Sequence, residues 1–148
     1  MANVVYNRFK QGLLQGDFDL GAAGDTIKVA LVTSSYTPDA DSHEDFADIT
    51  NEVSGDGYTA GGATLANQSV SKDTGDDEAV FDADDVAWEE SDFTARRAII
   101  YQDTGTPATS LLIAAIDFGE DKTASGGNFT ITWDAEASST SGKGIVHG

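Results

Sequence analysis

The chain has no cysteine, two histidines, and 8 basic residues against 26 acidic ones, so its 148 residues carry a formal net charge of −18 at pH 7. Without cysteine there are no disulfides, no thiolate chemistry and no zinc site built on cysteine ligands. The shortage of Lys and Arg argues against nucleic acid as the main ligand, because phosphate binding depends on these residues releasing condensed counterions. An anionic membrane surface is disfavoured for the same reason.

Long apolar runs are also missing. No run approaches the ~20 residues that span a bilayer. The N-terminal segment MANVVYNRFKQGLLQG has no apolar signal core followed by a small-residue cleavage site, so export by that route is not expected. The length suits one domain, and a content of 39% hydrophobic residues is enough to form a core.

Groups that commonly carry out catalysis are scarce. His43 lies in an acidic loop and His147 is the second residue from the C-terminus, and no nucleophile-elbow sequence accompanies them. A pair of carboxylates could serve a glycosidase, but any acidic protein contains suitable pairs, so this pattern is weak by itself. We therefore expect no catalytic residues, no cofactor and no enzymatic activity.

Carboxylates at alternate positions provide only weak candidates for metal binding, which are Asp39, Asp41, Asp45, Asp82 and Asp84. The first three resemble the start of a calcium loop, but Glu44 replaces the central glycine and Thr50 replaces the final glutamate. The other two would point to one face of a strand, where they could bind a divalent ion together. The alternative for this pair is a turn whose aspartates bond their own backbone.

Acidic residues are concentrated between Lys72 and Asp92, a stretch with ten of them and a single cation. Such a run is typical of a solvated face that keeps a protein soluble. The functional alternatives are a docking surface for a basic partner and a site for a divalent cation.

Hydrophobic spacing predicts a short N-terminal helix. Asn3 is placed to cap this helix and Gly16 to end it. One apolar stripe at helical spacing consists of Val4, Val5, Phe9, Leu13 and Leu14. We assign residues 1–16 to this helix or arm.

Short apolar segments predict the strands of the body, at 26–33, 63–70, 79–81, 86–88, 98–101, 111–116 and 129–133. Residues 103–107 and 119–122 have the composition of turns between antiparallel strands, and the glycine-dense turn region 54–62 indicates positive φ angles or close backbone approach. No long helical pattern separates any strand pair, which disfavours parallel βαβ units. We therefore expect a mainly β fold, an antiparallel β-sandwich or Greek-key barrel with one short N-terminal α-helix.

This body is expected to span residues 17–135, and a flexible or partner-docked C-terminal tail to span 136–148. Most aromatic residues lie in or beside the predicted strands and are expected in the core: Phe81, Trp88, Phe93, Tyr101, Phe118, Phe129 and Trp133. Four others lie outside the main strands and could instead anchor an interface by filling partner pockets: Tyr6, Phe9, Tyr36 and Phe46.

Several blocks of sequence carry a resemblance to a known group of proteins. They are IKVALVTSSYTPD at 27–39, DITNEVSGDGYTAGGATLAN at 48–67, VFDADDVAW at 80–88, ARRAIIYQDTG at 95–105, and LLIAAIDFG with FTITWDA at 111–119 and 129–135. Together they resemble small structural proteins of tailed bacteriophages, described as virion or capsid-associated proteins. The resemblance covers most of the chain, from about Val4 to Ala135.

The resemblance implies a decoration, or cement, protein on the outside of a phage head, located in the virion. Its implied partners are the major capsid protein or other virion proteins and further copies of itself, with a trimer as the default by analogy. The expected mechanism is multivalent clamping, in which each copy buries its helix and tails on a neighbour. The expected contact residues are Val4, Tyr6, Arg8, Phe9, Leu13 and Leu14, unless this helix packs on the domain's own sheet.

Two other functions stay open. One is a tail, collar or head-fibre component, again structural but on another part of the virion. The other is a carbohydrate-binding module or glycan-active enzyme, which predicts an exposed Trp88 or Trp133 in a groove beside paired carboxylates. Burial of both tryptophans would remove its support.

Overall fold

The computed structural model describes residues 3–75, 77–133 and 146–147, and consists mainly of antiparallel strands. The helix in this part is α1 (Asn7–Gln15). Two short 3-10 helices span Phe46–Asp48 and Pro107–Thr109. The strands are β1 (Val4–Val5), β2 (Ile27–Val32), β3 (Ala63–Thr64), β4 (Ser69–Asp73), β5 (Glu78–Asp82), β6 (Val86–Gln102), β7 (Leu112–Ile131) and β8 (Val146–His147).

The strands form two antiparallel sheets that share apolar contacts. The larger sheet has the order β1-β7-β6-β2-β3, and the smaller one has the order β4-β5-β8. Phe81 of β5 belongs to the same buried cluster as Ile100 of β6 and Ile113 of β7. This arrangement confirms the predicted mainly β, sandwich-like fold with one short helix near the N-terminus.

The two longest strands join segments that the sequence analysis treated as separate. The predicted strands 86–88 and 98–101 are both parts of β6, and most of 111–116 and 129–133 lies in β7. The chain reverses direction after β6 within 103–111, as predicted, but it does not reverse at 119–122. Instead, four residues of β7, 118–121, lie opposite the single residue Arg96 of β6, and the pairing continues beyond them.

The bulge in β7 has a local cause. Gly119 has a φ angle of 86°, a conformation that favours glycine. Its N–H donates to Oδ1 of Asp117 at 2.8 Å, and Nε of Arg96 donates to the same oxygen at 2.9 Å. The turn-like composition of this segment therefore widens one strand instead of starting a new one, because both flanks stay paired with β6.

The N-terminal segment is built into the larger sheet. Val4 and Val5 pair with Ala115 and Ala114 at the edge of β7, so the helix begins only at Asn7. Two β-branched residues beside an unpaired strand edge favour the extended form, because it supplies them with ladder hydrogen bonds. The predicted stripe of residues 4–14 is thus a short strand followed by a helix.

The predicted cap of α1 is wrong, whereas the predicted end of the helix is confirmed. Asn3 does not cap the helix, because its Oδ1 accepts a hydrogen bond from the N–H of Asp117 at 3.0 Å. Tyr6 stands at the cap position without a side-chain hydrogen bond to the helix. Gly16 ends the helix as predicted, in the left-handed conformation with a φ angle of 80°.

The glycine-dense turn brings backbone into close contact with β2. Gly62 has a φ angle of 83°, and a Cβ at this position would lie 1.9 Å from the carbonyl oxygen of Val29. Only glycine permits both the angle and the approach, as the composition of 54–62 predicted.

Aromatic side chains fill much of the interior. Phe118 is partly buried, and the other six aromatic residues predicted in the core are buried: Phe81, Trp88, Phe93, Tyr101, Phe129 and Trp133. Phe46, an interface candidate, is partly buried and stacks on Tyr101 with ring centroids 4.3 Å apart. Of the predicted C-terminal tail, residues 136–145 and 148 lie outside the described residues, whereas β8 pairs with β5.

Candidate partner-binding site

The predicted contact residues around α1 divide into an inner and an outer set. Tyr6 and Phe9 are 0% and 4% exposed, so both belong to the protein's own core. This corrects the expectation that they contact a partner, because the domain itself covers them. Leu13 and Leu14 are 52% and 92% exposed, and as partner contacts they stay a prediction.

The remaining two residues of that set have partners within the chain. Val4 is partly buried in β1 at the edge of β7. Nη2 of Arg8 donates to Oδ2 of Asp17 at 2.9 Å, which ties the helix to the segment that follows it. A partly exposed ion pair of this kind contributes little stability.

An apolar groove lies between α1 and the hairpin β4–β5, with a volume of about 780 Å³. The helix provides one wall, and Val5 of β1, the segment after the helix and the two strands provide the rest. The apolar lining includes Phe9, Leu13, Phe18, Leu20, Val70 and Phe81.

The wall formed by Phe18 depends on a glycine in the helix. The ring of Phe18 packs edge-on against Phe9, with centroids 4.9 Å apart. A Cβ at Gly12 would lie only 2.4 Å from Cε2 of Phe18. Gly12 therefore makes room for the ring to lie against the helix.

The strand wall of the groove combines a buried and an exposed residue. Val70 of β4 pairs with Phe81 of β5, so the two side chains share one face of the small sheet. Phe81 is 3% exposed, whereas Val70 is 52% exposed. Together with Leu13, Val70 leaves the groove with an apolar opening to solvent.

Few charged side chains lie at the groove. Lys10 and Asp19 are the charged members of its lining. The strand residues that line it, 79–81, are flanked in β5 by Glu78 and Asp82. Because side chains alternate along a strand, Glu78 and Asp82 lie on the face of the small sheet opposite Phe81. Lys72 lies on the same face as Val70, so the groove itself carries little negative charge.

A hydrogen-bonded chain joins the N-terminal segment to the loop that follows β2. The hydroxyls of Tyr6 and Tyr36 are 2.8 Å apart, and that of Tyr36 lies 2.8 Å from Nδ1 of His43. The N–H of Asp39 donates to the same ring nitrogen at 3.2 Å, so Nδ1 acts as an acceptor. Burial raises the pKa of both tyrosines, which keeps their hydroxyls protonated. His43 therefore has a structural task here.

In the first group of metal candidates, Asp39 and Asp45 bond to the chain's own backbone, whereas Oδ1 of Asp41 accepts a hydrogen bond from the side-chain amide of Asn7. Oδ1 of Asp39 accepts hydrogen bonds from the N–H groups of Asp41 and Ser42, at 2.9 and 3.1 Å. A hydrogen bond from the side chain of Ser42, together with these backbone bonds, lowers the pKa of Asp39. Asp45 accepts a backbone N–H at 3.0 Å as the cap of the 3-10 helix that follows it.

In the second group, Asp82 bonds to neighbouring backbone as the turn alternative predicted, whereas Asp84 bonds to a side chain distant in sequence. Oδ1 of Asp82 accepts from the N–H of Ala83 at 2.9 Å, and Oδ2 of Asp84 accepts from the side-chain amide of Asn67 at 2.6 Å. Among the described residues, no three side chains of His, Cys, Asp or Glu gather in an arrangement that could hold a metal ion.

Both tryptophans are inside the protein. Trp88 and Trp133 are 6% and 7% exposed, and Nε1 of Trp133 donates to the carbonyl oxygen of Asp84 at 3.0 Å. The expectation that went with a carbohydrate-binding site, an exposed tryptophan in a groove, is therefore wrong. Neither tryptophan is exposed enough to stack on a bound sugar.

The acidic stretch between β4 and β6 is partly used for internal bonds. Asp85 accepts a hydrogen bond from the N–H of Trp133 at 2.9 Å. Asp77, Glu89 and Glu90 are exposed. The stretch therefore both fastens the end of β7 and presents negative charge to solvent.

Sequence reasoning missed three residues that form the groove, Phe18, Leu20 and Val70. A weak signal was present, because Val70 is the one apolar residue of β4, in the sequence SVSKD. Phe18 and Leu20 lie shortly after α1, which ends at Gln15, so the helical spacing of apolar residues does not include them.

No helix in the described part of the chain is long and apolar enough to cross a membrane. Comparison of the chain with protein-family models, with curated proteins and with solved structures gives no match.

Proposed function

We propose that this chain is a structural virion protein that binds the outer surface of a phage capsid as a decoration, or cement, protein. The observation that carries the proposal is the exposed apolar surface at the end of α1, where Leu13 and Leu14 are 52% and 92% exposed. Apolar surface of this kind on a strongly charged protein marks interaction sites. The sequence blocks that resemble phage structural proteins supply the class of partner.

The rest of the molecule suits a rigid scaffold. β6 and β7 remain paired from Val86 with Ile131 to Tyr101 with Leu112. Segments with dense hydrogen bonding and buried apolar contacts open rarely, which protects a particle component from local unfolding. Such a body can hold a contact surface in a fixed orientation on a capsid.

Binding would be multivalent. A single small contact is weak, but copies joined in an oligomer, with a trimer as our expectation, turn later contacts into intramolecular ones. This raises the overall affinity ~10²–10⁴-fold. The net charge of −18 favours a capsid surface with exposed Lys and Arg, because complementary charge speeds and orients association.

The first test is binding to purified phage heads, followed by cryo-electron microscopy of the particles. We expect copies of the protein spread regularly over the outer capsid surface. Copies confined to the tail, collar or head fibres would favour that alternative location instead. Heads and tails that both remain bare at saturating protein would overturn the proposal.

The second test compares two substitutions on the same helix. Leu14→Asp places a charge in the proposed contact and should lower occupancy on heads. Gln11→Asp adds the same charge at an exposed polar position of α1 and serves as the control. Equal occupancy for both variants, with unchanged melting temperatures, would remove α1 from the contact.

A further inference from the structure

The groove between α1 and the hairpin β4–β5 adjoins the exposed end of the helix, and the two surfaces share Leu13. It has a volume of about 780 Å³, within the range of sites that enclose a ligand or several side chains. Two of its lining residues, Leu13 and Val70, are each 52% exposed, although they come from different elements. An apolar opening with walls from a helix and a sheet fits an apolar segment of another protein.

The charge balance of the chain limits what that segment can be. Seven of the eight cationic residues are in the described part, and five of them pair with the chain's own carboxylates, leaving Lys10 and Lys72 without such an ion pair there. A second copy would therefore bring a net charge of −18 and few free cations to a protein that carries the same charge. Self-association through this groove is disfavoured by like charge.

We infer that the groove receives an apolar segment of the capsid subunit that carries flanking Lys or Arg residues. This inference rests on the proposed function and names the partner's chemistry. Apolar side chains of that segment fill the space beside Phe9, Phe18 and Phe81. Its cations lie near Asp19, at the border of the groove.

Val70, on the strand wall of the groove, tests whether the occupant is apolar. This wall is not part of the contact proposed for the end of α1, so the two contacts can be tested separately. Val70→Asp should lower the affinity for purified heads about tenfold, as expected for a residue at the centre of a contact. Ser71→Asp is the matched control, because Ser71 is exposed and neighbours Val70 on the opposite face of β4. Equal affinity of the two variants for heads would overturn the inference that the groove binds the capsid. Lower affinity of Leu14→Asp would still support the proposed function.

The charge part is tested at Lys10. Lys10→Glu removes the cation in the groove lining, so a basic segment should bind more tightly, by about threefold or more. Lys122→Glu makes the same change in net charge on β7 and should have a smaller effect, because exposed charges are screened beyond about 8 Å at physiological salt. Weaker binding of Lys10→Glu than of Lys122→Glu would show an acidic partner and overturn the inference.

The absence of cysteine allows a direct test of the occupant. Val70→Cys would carry the chain's one thiol, to which a photoreactive cross-linker can be attached. On heads that have bound this protein, illumination should join it to a capsid-subunit peptide that contains apolar residues and Lys or Arg. Cross-links found only within the chain, or only between its copies, would overturn the inference and leave capsid binding itself intact.

Discussion

The larger sheet and the corner formed by α1 and the hairpin β4–β5 use similar apolar residues in opposite ways. In the larger sheet, Ile99, Ile100 and Ile113 are fully buried by neighbouring strands. At the corner, Leu13 and Val70 remain about half exposed because no described segment covers them. The difference separates residues that stabilise the fold from residues that are available to a partner, and seven substitutions can test this separation.

The largest expected effect is in the larger sheet. Ile100→Ala should lower the free energy of unfolding by about 4 kcal/mol, because it removes buried contacts and leaves a cavity. Val70→Ala, at the corner, should change it by no more than about 0.5 kcal/mol. Urea denaturation followed by circular dichroism measures both values. Similar losses for the two variants would contradict the comparison.

The next effect concerns the buried carboxylate at the bulge in β7. Asp117→Asn should cost about 2 kcal/mol, since Oδ1 of Asp117 accepts a charge-assisted hydrogen bond from Nε of Arg96 and Oδ2 lies 3.6 Å from Nη2 of Arg97. The exposed pair of Glu120 and Lys122 is the control, and Glu120→Gln should have little effect. If Glu120→Gln lowered the free energy of unfolding more than Asp117→Asn, the bonds of Asp117 at the bulge would not be the stabilising ones.

The pH dependence of the same variant has a defined sign. The hydrogen bond from Arg96 lowers the pKa of Asp117, so its stabilising contribution is present above the usual carboxyl pKa and is lost as the pH falls through the lowered value. The stability difference between wild type and Asp117→Asn should therefore be complete at pH 7 and shrink below about pH 4. Thermal denaturation across this range measures it, and a difference that grows in acid would contradict the assignment.

A smaller effect is expected where the N-terminal segment joins the body. Tyr6→Phe removes one buried hydrogen bond and should cost about 1 kcal/mol. Tyr36→Phe removes the bonds to both Tyr6 and His43 and should cost more. Chemical denaturation gives both values. If neither variant were destabilised, Tyr6 would not be held in the core, and the predicted contact of Tyr6 with a partner would regain support.

The smallest effect is expected at the outer end of the helix. Leu14→Ser should change the free energy of unfolding by less than about 0.5 kcal/mol, because Leu14 is 92% exposed. The same denaturation experiment measures it. A loss comparable to that of Tyr6→Phe would mean that Leu14 is covered in solution, and the corner would then resemble the larger sheet.

Local pattern predicted the fold class and most strands because it depends on near neighbours in sequence. The apolar run at 26–33 became β2, and Gly16 ended the helix as its position indicated. The segment 119–122 shows the limit of such reasoning. Its composition suits a turn, but pairing of both flanks with β6 made it a bulge, and that pairing joins residues far apart in sequence.

The candidate site was predicted only in part. Helical spacing identified Leu13 and Leu14 as apolar, but the same spacing included Phe9, which the domain covers. Periodicity records which face of an element is apolar and carries no information about what lies against that face. Val70 could not be found in this way, since one valine in a polar strand has no periodicity of its own.

The sequence by itself determined the chemistry of this protein: no thiols, scarce histidine, an excess of carboxylates, and short alternating segments that form strands. These properties belong to residue types and near neighbours. Only the tertiary structure decided that Tyr6 and Phe9 are interior, that β7 bulges instead of turning, and that Leu13 and Val70 border one groove. Each of these depends on contacts between segments distant along the chain, where burial and long-range pairing outweigh local preference.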